Sequence, residues 1–325
     1  MANKITYSVV IPVYNEEEVL MASYERLTDV METLGASYEL LFVNDGSRDG
    51  SRDQLDAIQA LDPNVRVLHF SRNFGHQIAI TAGVDYASGE AVIVIDADLQ
   101  DPPELIPEMV RKWQEGYQVV YAKRAARKGE SFFKKASASI FYRVLAKLSD
   151  TPIPVDTGDF RLMDKKICAE LRRLHEKNPF VRGQVSWIGF KQTAVEYSRD
   201  ERLYGETKYP LKKMIKLSID GITSFSYLPL KLASYLGVAA SGIGLLYMLT
   251  ILFQKLFTSV TVPGWASIVI IQLVFFGIIL FVLGMIGEYL GRMYEEAKDR
   301  PRYIIDEANG FDAHYLYFAR QQGTK

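Results

Sequence analysis

The sequence predicts an α/β fold with an open, mostly parallel sheet and helices on both faces, followed by a pair of C-terminal membrane-spanning helices. Two observations predict this architecture. Up to Lys123, apolar runs rich in Val, Ile and Leu alternate with polar loops and amphipathic segments, which is typical of parallel strands that are buried on both faces. Residues 232–254 and 256–287 then carry no charged side chain, which is typical of membrane spans.

Five predicted strands alternate with four predicted helices in the first part of the chain. The strands are the runs YSVVIPVY, YELLFVND, VRVLHF, EAVIVIDAD and YQVVYAK. The helices are expected to begin near Glu16 and to cover Ser51 to Leu61, Gln77 to Ala87 and Pro103 to Glu115. Ligands of open α/β sheets bind beyond the carboxyl ends of the strands. We therefore expect the functional site among the polar segments at that edge, which are PVYNEEE, VNDGSRDGS, HFSRNFGHQ and IDADLQDPPE.

Three further segments follow the fifth strand. Residues 132–150 are basic and aromatic and predict a helix, and PVDTGDFRLM predicts a glycine-containing loop that leads to another helix. Residues 211–228 mix lysines with large apolar side chains, which favours an amphipathic helix on a membrane surface. A core helix of a soluble domain is the alternative for that segment.

The two uncharged stretches are each long enough to cross a membrane, because about 20 apolar helical residues span its hydrocarbon core. Pro263 and Gly264 predict a turn between them, and Trp265 is typical of a membrane interface. Lysines precede the first stretch and arginines follow the second, so the positive-inside rule places both flanks in the cytoplasm. A buried helical hairpin of a soluble protein is the alternative.

These features divide the chain into a cytoplasmic domain (1–210), an interfacial segment (211–228), two transmembrane helices (229–290) and a cytoplasmic tail (291–325). The N-terminus lacks the apolar length of a signal peptide, so we expect none.

A net charge of -1 argues against a nucleic-acid partner, because neutralising a phosphate backbone needs a basic excess. The single cysteine, Cys168, excludes an intrachain disulfide and argues against a cysteine-based metal site.

An acidic cluster follows the most apolar strand. Asp96, Asp98 and Asp101 lie within six positions, with Gln100 among them. Mg²⁺ and Mn²⁺ take oxygen ligands, usually one or two carboxylates together with substrate phosphates. An Asp-x-Asp at a strand end therefore predicts a divalent-cation site. The alternative is a solvated loop whose carboxylates cap the next helix.

A second acidic position, Asp45, follows the second predicted strand in VNDGSRDGS. Its carboxylate is a candidate acceptor of a hydrogen bond from a uracil or a ribose. Gly46 and Gly50 leave another interpretation open, in which they mark only a turn and Asp49 caps the next helix.

Six motifs occur in one order ahead of the two predicted spans: PVYNEEE, VNDGSRDGS, SRNFGHQ, DADLQDPPE, TGDFRLM and ERLYGETKY. In this order the chain resembles the family 2 polyprenyl-phosphate glycosyltransferases, which include the bactoprenol glucosyltransferases and the dolichyl-phosphate mannosyltransferases. The similarity extends from about Tyr7 to about Tyr303. It implies a GT-A-like fold for the sheet domain.

The resemblance implies a role for each matching position. The residues implied to line the nucleotide-sugar pocket are Pro12, Tyr14, Glu16, Asp45 and Asp96. Those implied to ligate Mg²⁺ or Mn²⁺ are Asp96, Asp98 and Gln100. Asp159 of TGDFRLM is at the position of the proposed general base, and the implied phosphate-binding residues are Arg124, Arg202 and Lys208.

The reaction implied by the resemblance is an inverting, metal-dependent transfer of a hexose, glucose from UDP-glucose, to undecaprenyl phosphate at the cytoplasmic face of the bacterial plasma membrane. A phosphate monoester is already largely anionic near neutral pH, since its second pKa is about 6, so a strong base is hardly required. Relatives imply a homotetramer. The alternatives are a non-catalytic, membrane-anchored nucleotide-sugar-binding scaffold, and the same chemistry with another UDP- or GDP-linked sugar.

Overall fold

The computed structural model describes residues 5–124, 154, 157–197, 228–257 and 264–311. The chain divides into two compact units. The first contains residues 1–146, 151–218 and 300–325, and the second contains 147–150 and 219–299.

The first unit is built on an eight-stranded sheet. Its strands are β1 (Tyr7–Val13), β2 (Tyr38–Asn44), β3 (Val65–Phe70), β4 (Ala91–Val94), β5 (Val119–Arg124), β6 (Thr157–Asp164), β7 (Gln192–Tyr197) and β8 (Ile305–Asn309). They lie in the order β7-β5-β6-β4-β1-β2-β3-β8. Neighbouring strands are parallel except that β6 is antiparallel to β4 and β5, and β8 is antiparallel to β3. The predicted mostly parallel α/β sheet is confirmed.

Helices cover both faces of the sheet. They are α1 (Leu20–Thr33), α2 (Ser51–Leu61), α3 (His76–Tyr86), a 3₁₀ turn (Pro103–Leu105) that leads into α4 (Ile106–Gln114), α5 (Lys165–Arg172) and α6 (Val181–Ile188). Successive side chains of a strand point to opposite faces, so Val9 and Ile11 enter one core while Val10 enters the other. Helices α1, α2 and α4 complete the first core, and α3, α5 and α6 complete the second.

Two local expectations differ from the structure. Helix α1 begins at Leu20 rather than near Glu16, and it is preceded by a turn in which the Glu16 carbonyl accepts hydrogen bonds from the amides of Val19 and Leu20. The segment TGDFRLM, expected as a loop, is strand β6, which pairs with β4 on one side and β5 on the other. Phe160 and Met163 are fully buried on opposite faces of this strand, which explains why it is stable despite its glycine and its charged residues.

The segment 300–311, which we call the C-terminal segment, belongs to the sheet unit. Besides β8, it contributes Arg302, which donates to the Leu174 carbonyl and pairs with Asp85 of α3 at 3.1 Å. Tyr303 donates to the same Asp85 carboxylate and stacks on Phe70 of β3. This part of the chain, expected as a tail, is therefore an integral element of the sheet unit.

The second unit contains α7 (Leu228–Phe257) and α8 (Trp265–Ala297), which pack against each other. Within the described residues, one stretch is long and apolar enough to cross a membrane, Val274–Ala297, with a mean hydropathy of 2.1 and none of it buried. Helix α7 carries a shorter apolar stretch, Gly237–Tyr247. The expected interfacial segment 211–228 lies outside the described residues, apart from Leu228 at the start of α7.

The C-terminal segment provides a stability test. Arg302→Ala is expected to lower the free energy of unfolding by about 3–5 kcal/mol, because it leaves the Asp85 carboxylate buried without its cation. The two side chains are only 9% and 14% exposed. Arg52→Ala is the matched control, since Arg52 pairs with Asp306 and Glu307 at the surface and such pairs contribute about 1 kcal/mol or less. Chemical denaturation of the purified full-length variants would measure the loss of unfolding free energy in each. Equal losses would contradict the conclusion that Arg302 and Asp85 form a buried ion pair.

Candidate functional site

The acidic positions predicted from the sequence meet at one edge of the sheet. Asp45 directly follows β2, and Asp96 follows β4 by two residues. Val94, the last residue of β4, pairs with Arg161 of the antiparallel β6. Continuing that register by two residues brings Asp159 opposite Asp96. The two carboxylates that the sequence separates by more than sixty positions are therefore neighbours.

Asp159 is buried and surrounded by donors. Arg182 of α6 binds both of its oxygens, with Nε 2.8 Å from Oδ1 and Nη2 3.0 Å from Oδ2. Gln77 donates to Oδ2 at 3.2 Å, and His76 Nε2 lies at the same distance. Burial alone raises the pKa of this carboxyl, but Arg182 and His76 outweigh it and hold the pKa well below its usual range. In this geometry Asp159 is a fixed anion and a weak proton acceptor.

His76, the first residue of α3, lies between two carboxylates. Its Nε2 is 3.2 Å from Asp159 Oδ2 and 3.5 Å from Asp96 Oδ1. Burial lowers the pKa of the imidazole, but the charges of Asp96 and Asp159 outweigh that effect and raise it to about 9. His76 is therefore an imidazolium near neutral pH.

Asp96 has the properties of a cation ligand. Burial and the nearby charges of Asp159, Asp98 and Asp101 raise its pKa to about 6, against the opposing effect of His76. Its Oδ1 atom is buried and accepts no hydrogen bond. A divalent cation would relieve the crowding of carboxylates and would contact an oxygen that accepts no hydrogen bond, so these residues fit the predicted metal.

The rest of the acidic cluster is partly committed to protein contacts. Asp98 Oδ1 accepts from the Gln100 amide at 3.1 Å, and Asp101 accepts a hydrogen bond from the Tyr197 hydroxyl. Gln100 is buried. Among the described residues, no group of three or more His, Cys, Asp or Glu side chains is arranged to hold a metal ion. Asp96 and Asp98 would thus need further oxygen ligands from a substrate.

Asp45 holds the loop that leads into α3. Its carboxylate accepts from the amides of Phe74 at 2.6 Å and Gly75 at 2.9 Å, and from the side chain of Asn73 at 2.9 Å. Burial raises the pKa of Asp45, and these amide donors oppose the rise. Contact with a nucleoside stays a prediction for Asp45. Its observed bonds position the loop that ends at His76.

The turn after Asp45 agrees only in part with the other interpretation of VNDGSRDGS. Asp49 Oδ1 accepts from the Ser51 amide at the start of α2, but the N-cap residue of that helix is Gly50 and not Asp49. Gly46 has φ +65°, and a Cβ there would lie 2.5 Å from the Arg72 carbonyl carbon. Glycine is required at this position because the two loops touch through their backbones.

The remaining candidate residues are distributed along the same edge. Pro12 is buried within β1, Tyr14 is 40% exposed just beyond that strand, and Glu16 is half-buried in the following turn. Arg124 ends β5, where its neighbour Lys123 pairs with Thr157. Arg202 and Lys208 lie outside the described residues. The roles implied for these positions stay predictions.

Sequence reasoning missed three residues that contact Asp159. His76 stood inside a motif without a derivable role, and Gln77 and Arg182 were not singled out. The partners lie 23 to 83 positions from Asp159 in the chain. No local spacing signals such contacts, since they depend on the antiparallel placement of β6 beside β4.

Comparison with known proteins identifies the family. The family described as Glycosyl transferase family 2 matches residues 8–172, from β1 to the end of α5. A Bacillus subtilis protein named uncharacterized glycosyltransferase YkcC is 63% identical over 317 residues, covering 98% of each chain. This chain belongs to glycosyl transferase family 2. It is an enzyme of the glycosyltransferase class, as the sequence motifs predicted.

A further relative is similar over nearly the whole chain, and a solved structure is similar over part of it. The SfII prophage-derived bactoprenol glucosyl transferase of Shigella flexneri is 40% identical over 302 residues, covering 93% of this chain and 98% of that protein. Among solved structures, glucosyl-3-phosphoglycerate synthase of Mycobacterium tuberculosis, in complex with Mn²⁺, UDP and glucosyl-3-phosphoglycerate, is 19% identical with a TM-score of 0.45. That likeness covers 66% of this chain and 76% of that one, and is too low for its ligands to be carried over.

The contact between Gly46 and the 72–75 loop gives a test in this glycosyltransferase. Gly46→Ala is expected to cost about 2–5 kcal/mol of unfolding free energy, from the left-handed backbone and from the clash with Arg72. Activity should fall as well, because the displaced loop carries His76. Gly35→Ala is the control, since Gly35 has φ +61° with nothing within 4 Å, and should cost about 1–2 kcal/mol. Denaturation curves give the unfolding free energy of each variant, and transfer rates give its activity. Identical losses in the two variants would contradict the role of the close contact between Gly46 and Arg72.

Proposed function

We propose that this glycosyltransferase moves glucose from UDP-glucose to undecaprenyl phosphate, with inversion, at the cytoplasmic face of the bacterial plasma membrane. The observation that carries the proposal is the 40% identity, over 93% of this chain, to a bactoprenol glucosyl transferase. The site supports it, because the Asp96 oxygen that accepts no hydrogen bond lies 3.5 Å from His76 Nε2, and Arg182 lies beside the neighbouring Asp159. That combination suits phosphorylated substrates and a divalent cation.

Asp96, Asp98 and Gln100 would hold Mg²⁺ or Mn²⁺ at the end of β4. When bound, the cation supplies positive charge that stabilises the departing diphosphate. Pro12, Tyr14, Glu16 and Asp45 lie at or near the ends of β1 and β2, next to the acidic cluster, where a nucleoside would be held.

The transfer itself is a direct displacement at the anomeric carbon. An oxygen of the acceptor phosphate forms the new bond to carbon as the bond to the diphosphate oxygen breaks, so an α-linked donor gives a β-linked product. The acceptor is already largely dianionic above pH ~6 and needs no strong base. The low pKa of Asp159 supports a role for this residue as the anion that orients Arg182 and His76. Arg124, Arg202 and Lys208 would bind phosphates of donor and acceptor.

The C-terminal segment supports a membrane hairpin. Strands β7 and β8 precede and follow the helices α7 and α8, yet both belong to one sheet. A folded sheet lies on one side of a bilayer, so the intervening chain crosses it an even number of times. Two crossings, within residues 232–254 and 256–287, put both termini in the cytoplasm. Residues 211–228 would lie on the membrane surface, and the assembly would be a homotetramer.

The substrates are tested by direct assay. Membranes containing the protein would be incubated with undecaprenyl phosphate and a panel of labelled UDP- and GDP-sugars. We expect labelled lipid from UDP-glucose. Label from a different nucleotide sugar would change the donor, while nucleotide binding without transfer to any lipid would favour the scaffold.

Activity is expected to depend on a divalent cation. Chelation should abolish turnover, and Asp98→Asn should lower kcat by about 100-fold or more, because the substitution removes the negative charge of a cation ligand. Asp29→Asn, at an exposed position of α1, is the control and should turn over normally. Full turnover in excess chelator would eliminate the metal assignment.

The topology is tested with reporter fusions. A reporter fused after Lys325 should report the cytoplasm, and one inserted near Thr258, between the two stretches, should report the opposite side. The same location for both reporters would contradict two crossings.

A further inference from the structure

A buried histidine outside the site lies in the middle of a series of hydrogen bonds. His69, near the end of β3, is fully buried, at a position that the alternation of that strand gives to the first core together with Val65 and Val67. Its Nδ1 atom is 3.0 Å from Asn44 Nδ2, and its Nε2 atom is 3.0 Å from Asp56 Oδ1 of α2. Both ring nitrogens are therefore paired, as burial of a polar side chain requires.

The direction of each of these hydrogen bonds follows from its partners. Asn44 Oδ1 accepts from the Ser47 amide at 3.0 Å, so Asn44 Nδ2 is the atom that faces His69. An amide nitrogen only donates, which makes His69 Nδ1 an acceptor and leaves the ring proton on Nε2, from which it is donated to the Asp56 carboxylate. A rotated imidazole would lose both bonds, so the ring has one stable orientation.

One end of this series is the C-terminal segment. Asn309 Nδ2 of β8 donates at 2.9 Å to Asp56 Oδ1, the same oxygen that accepts from His69. We call the series Asn309–Asp56–His69–Asn44 the polar bridge. The Ile304 carbonyl of the same segment also accepts from the Ser71 amide at 3.0 Å, where the loop that leads into α3 begins. The segment that follows the second apolar helix thus contacts both the polar bridge and that loop.

The other end of the polar bridge is the turn after β2. Asn44 binds the Ser47 amide, and Ser47 Oγ accepts from the Asn15 amide at 3.0 Å. Asn15 has φ +53°, a left-handed backbone that costs energy in a non-glycine residue, and the turn after β2 holds both its amide and its side chain. It lies between Tyr14 and Glu16. The polar bridge therefore leads to the turn that carries two residues of the predicted nucleotide-sugar pocket.

We propose that Asn44 and His69 are positioning residues for the donor nucleotide, and that the C-terminal segment acts through them on the turns that hold it. The proposal rests on the proposed function, which assigns Tyr14, Glu16 and Asp45 to the nucleotide-sugar pocket. Asp45 directly follows Asn44, so the polar bridge also fixes the backbone on one side of Asp45. A fully satisfied buried network favours one arrangement of its members. Turns that are ordered before binding lower the cost of ordering them around a nucleotide.

The variants His69→Gln and His69→Asn each keep one half of the polar bridge. The amide of the longer side chain reaches the position of Nε2 and can still donate to Asp56, but it offers Asn44 no acceptor. The amide of the shorter side chain reaches the position of Nδ1 and can still accept from Asn44, but it does not reach Asp56. Asn309→Ala removes the donor of the C-terminal segment and leaves the backbone pairing of β8 with β3 intact.

The affinity of the full-length variants for UDP, with Mn²⁺ present, is measured by calorimetry, and melting temperatures identify variants that fail to fold. His69→Gln is expected to bind UDP about fivefold more weakly or worse, because the buried Asn44 amide loses its acceptor and the turn is no longer fixed. His69→Asn and Asn309→Ala should each bind about threefold more weakly, since they release only the outer half of the polar bridge. In the transfer assay these variants should raise the KM of the nucleotide sugar and leave that of undecaprenyl phosphate unchanged.

Two controls separate positioning from stability. Glu307→Ala changes the same strand as Asn309→Ala, but it breaks a surface pair with Arg52. Trp113→Phe removes a hydrogen bond from the indole nitrogen to the Asp164 carboxylate, which lies where β4 begins and away from the pocket turns. It should lower the melting temperature. Both controls should bind UDP with wild-type affinity.

Wild-type UDP affinity in folded His69→Gln and Asn309→Ala would overturn the proposal, because a lower melting temperature alone indicates that the polar bridge only stabilises the fold. The same loss of affinity in Trp113→Phe would overturn it as well. Normal affinity in Asn309→Ala alone would remove the C-terminal segment from the proposal. If the His69 variants do not fold, Asn309→Ala decides the outcome.

Failure of the proposed function gives a different result. A wild type that binds UDP but transfers no sugar to undecaprenyl phosphate contradicts the proposed function, while the comparison of UDP affinities still tests the polar bridge. A wild type that binds neither UDP nor GDP would overturn the positioning role together with the proposed donor.

Discussion

The antiparallel insertion of β6 between β4 and β5 is the constraint on which the site depends. A parallel strand at this position would carry its Asp159 away from the edge where Asp96 lies. The reversed direction instead brings the beginning of β6 to the carboxyl end of β4. Helices α5 and α6 then follow on the face of α3, and α6 delivers Arg182 to Asp159. One reversal of strand direction thus assembles an acidic half and a cationic half of a single site.

The loops at this edge are held together by side chains of the sequence motifs, among them Asp45, which the resemblance assigns to the nucleotide-sugar pocket. Asp45 binds the 73–75 loop, and Asn15 Oδ1 accepts from the Arg48 amide. These contacts connect the turns after β1, β2 and β3 into one layer. A motif residue can therefore matter to activity by fixing the loop that presents another residue, here His76.

The parallel core was predictable because its signals are local. Apolar runs and helical periodicity located β1 to β5 and α2 to α4, and the strand ends located Asp96 and Asp98. Strand β6 was not predictable, since Gly158, Asp159 and Arg161 give it the composition of a loop and only pairing on both sides makes it a strand. Arg182 and Gln77 were missed for a related reason, because their partner is set by tertiary contact and not by spacing.

The position of β8 at the edge of the sheet affects the order in which the parts of the protein fold. During synthesis, β3 has an unpaired edge until residues 305–309 have left the ribosome, and these come after both α7 and α8. Exposed strand edges pair readily with other chains. The sheet thus stays open through the whole period in which the apolar helices are made. Closure of the sheet by β8 is therefore a late step, which follows the synthesis of both apolar helices.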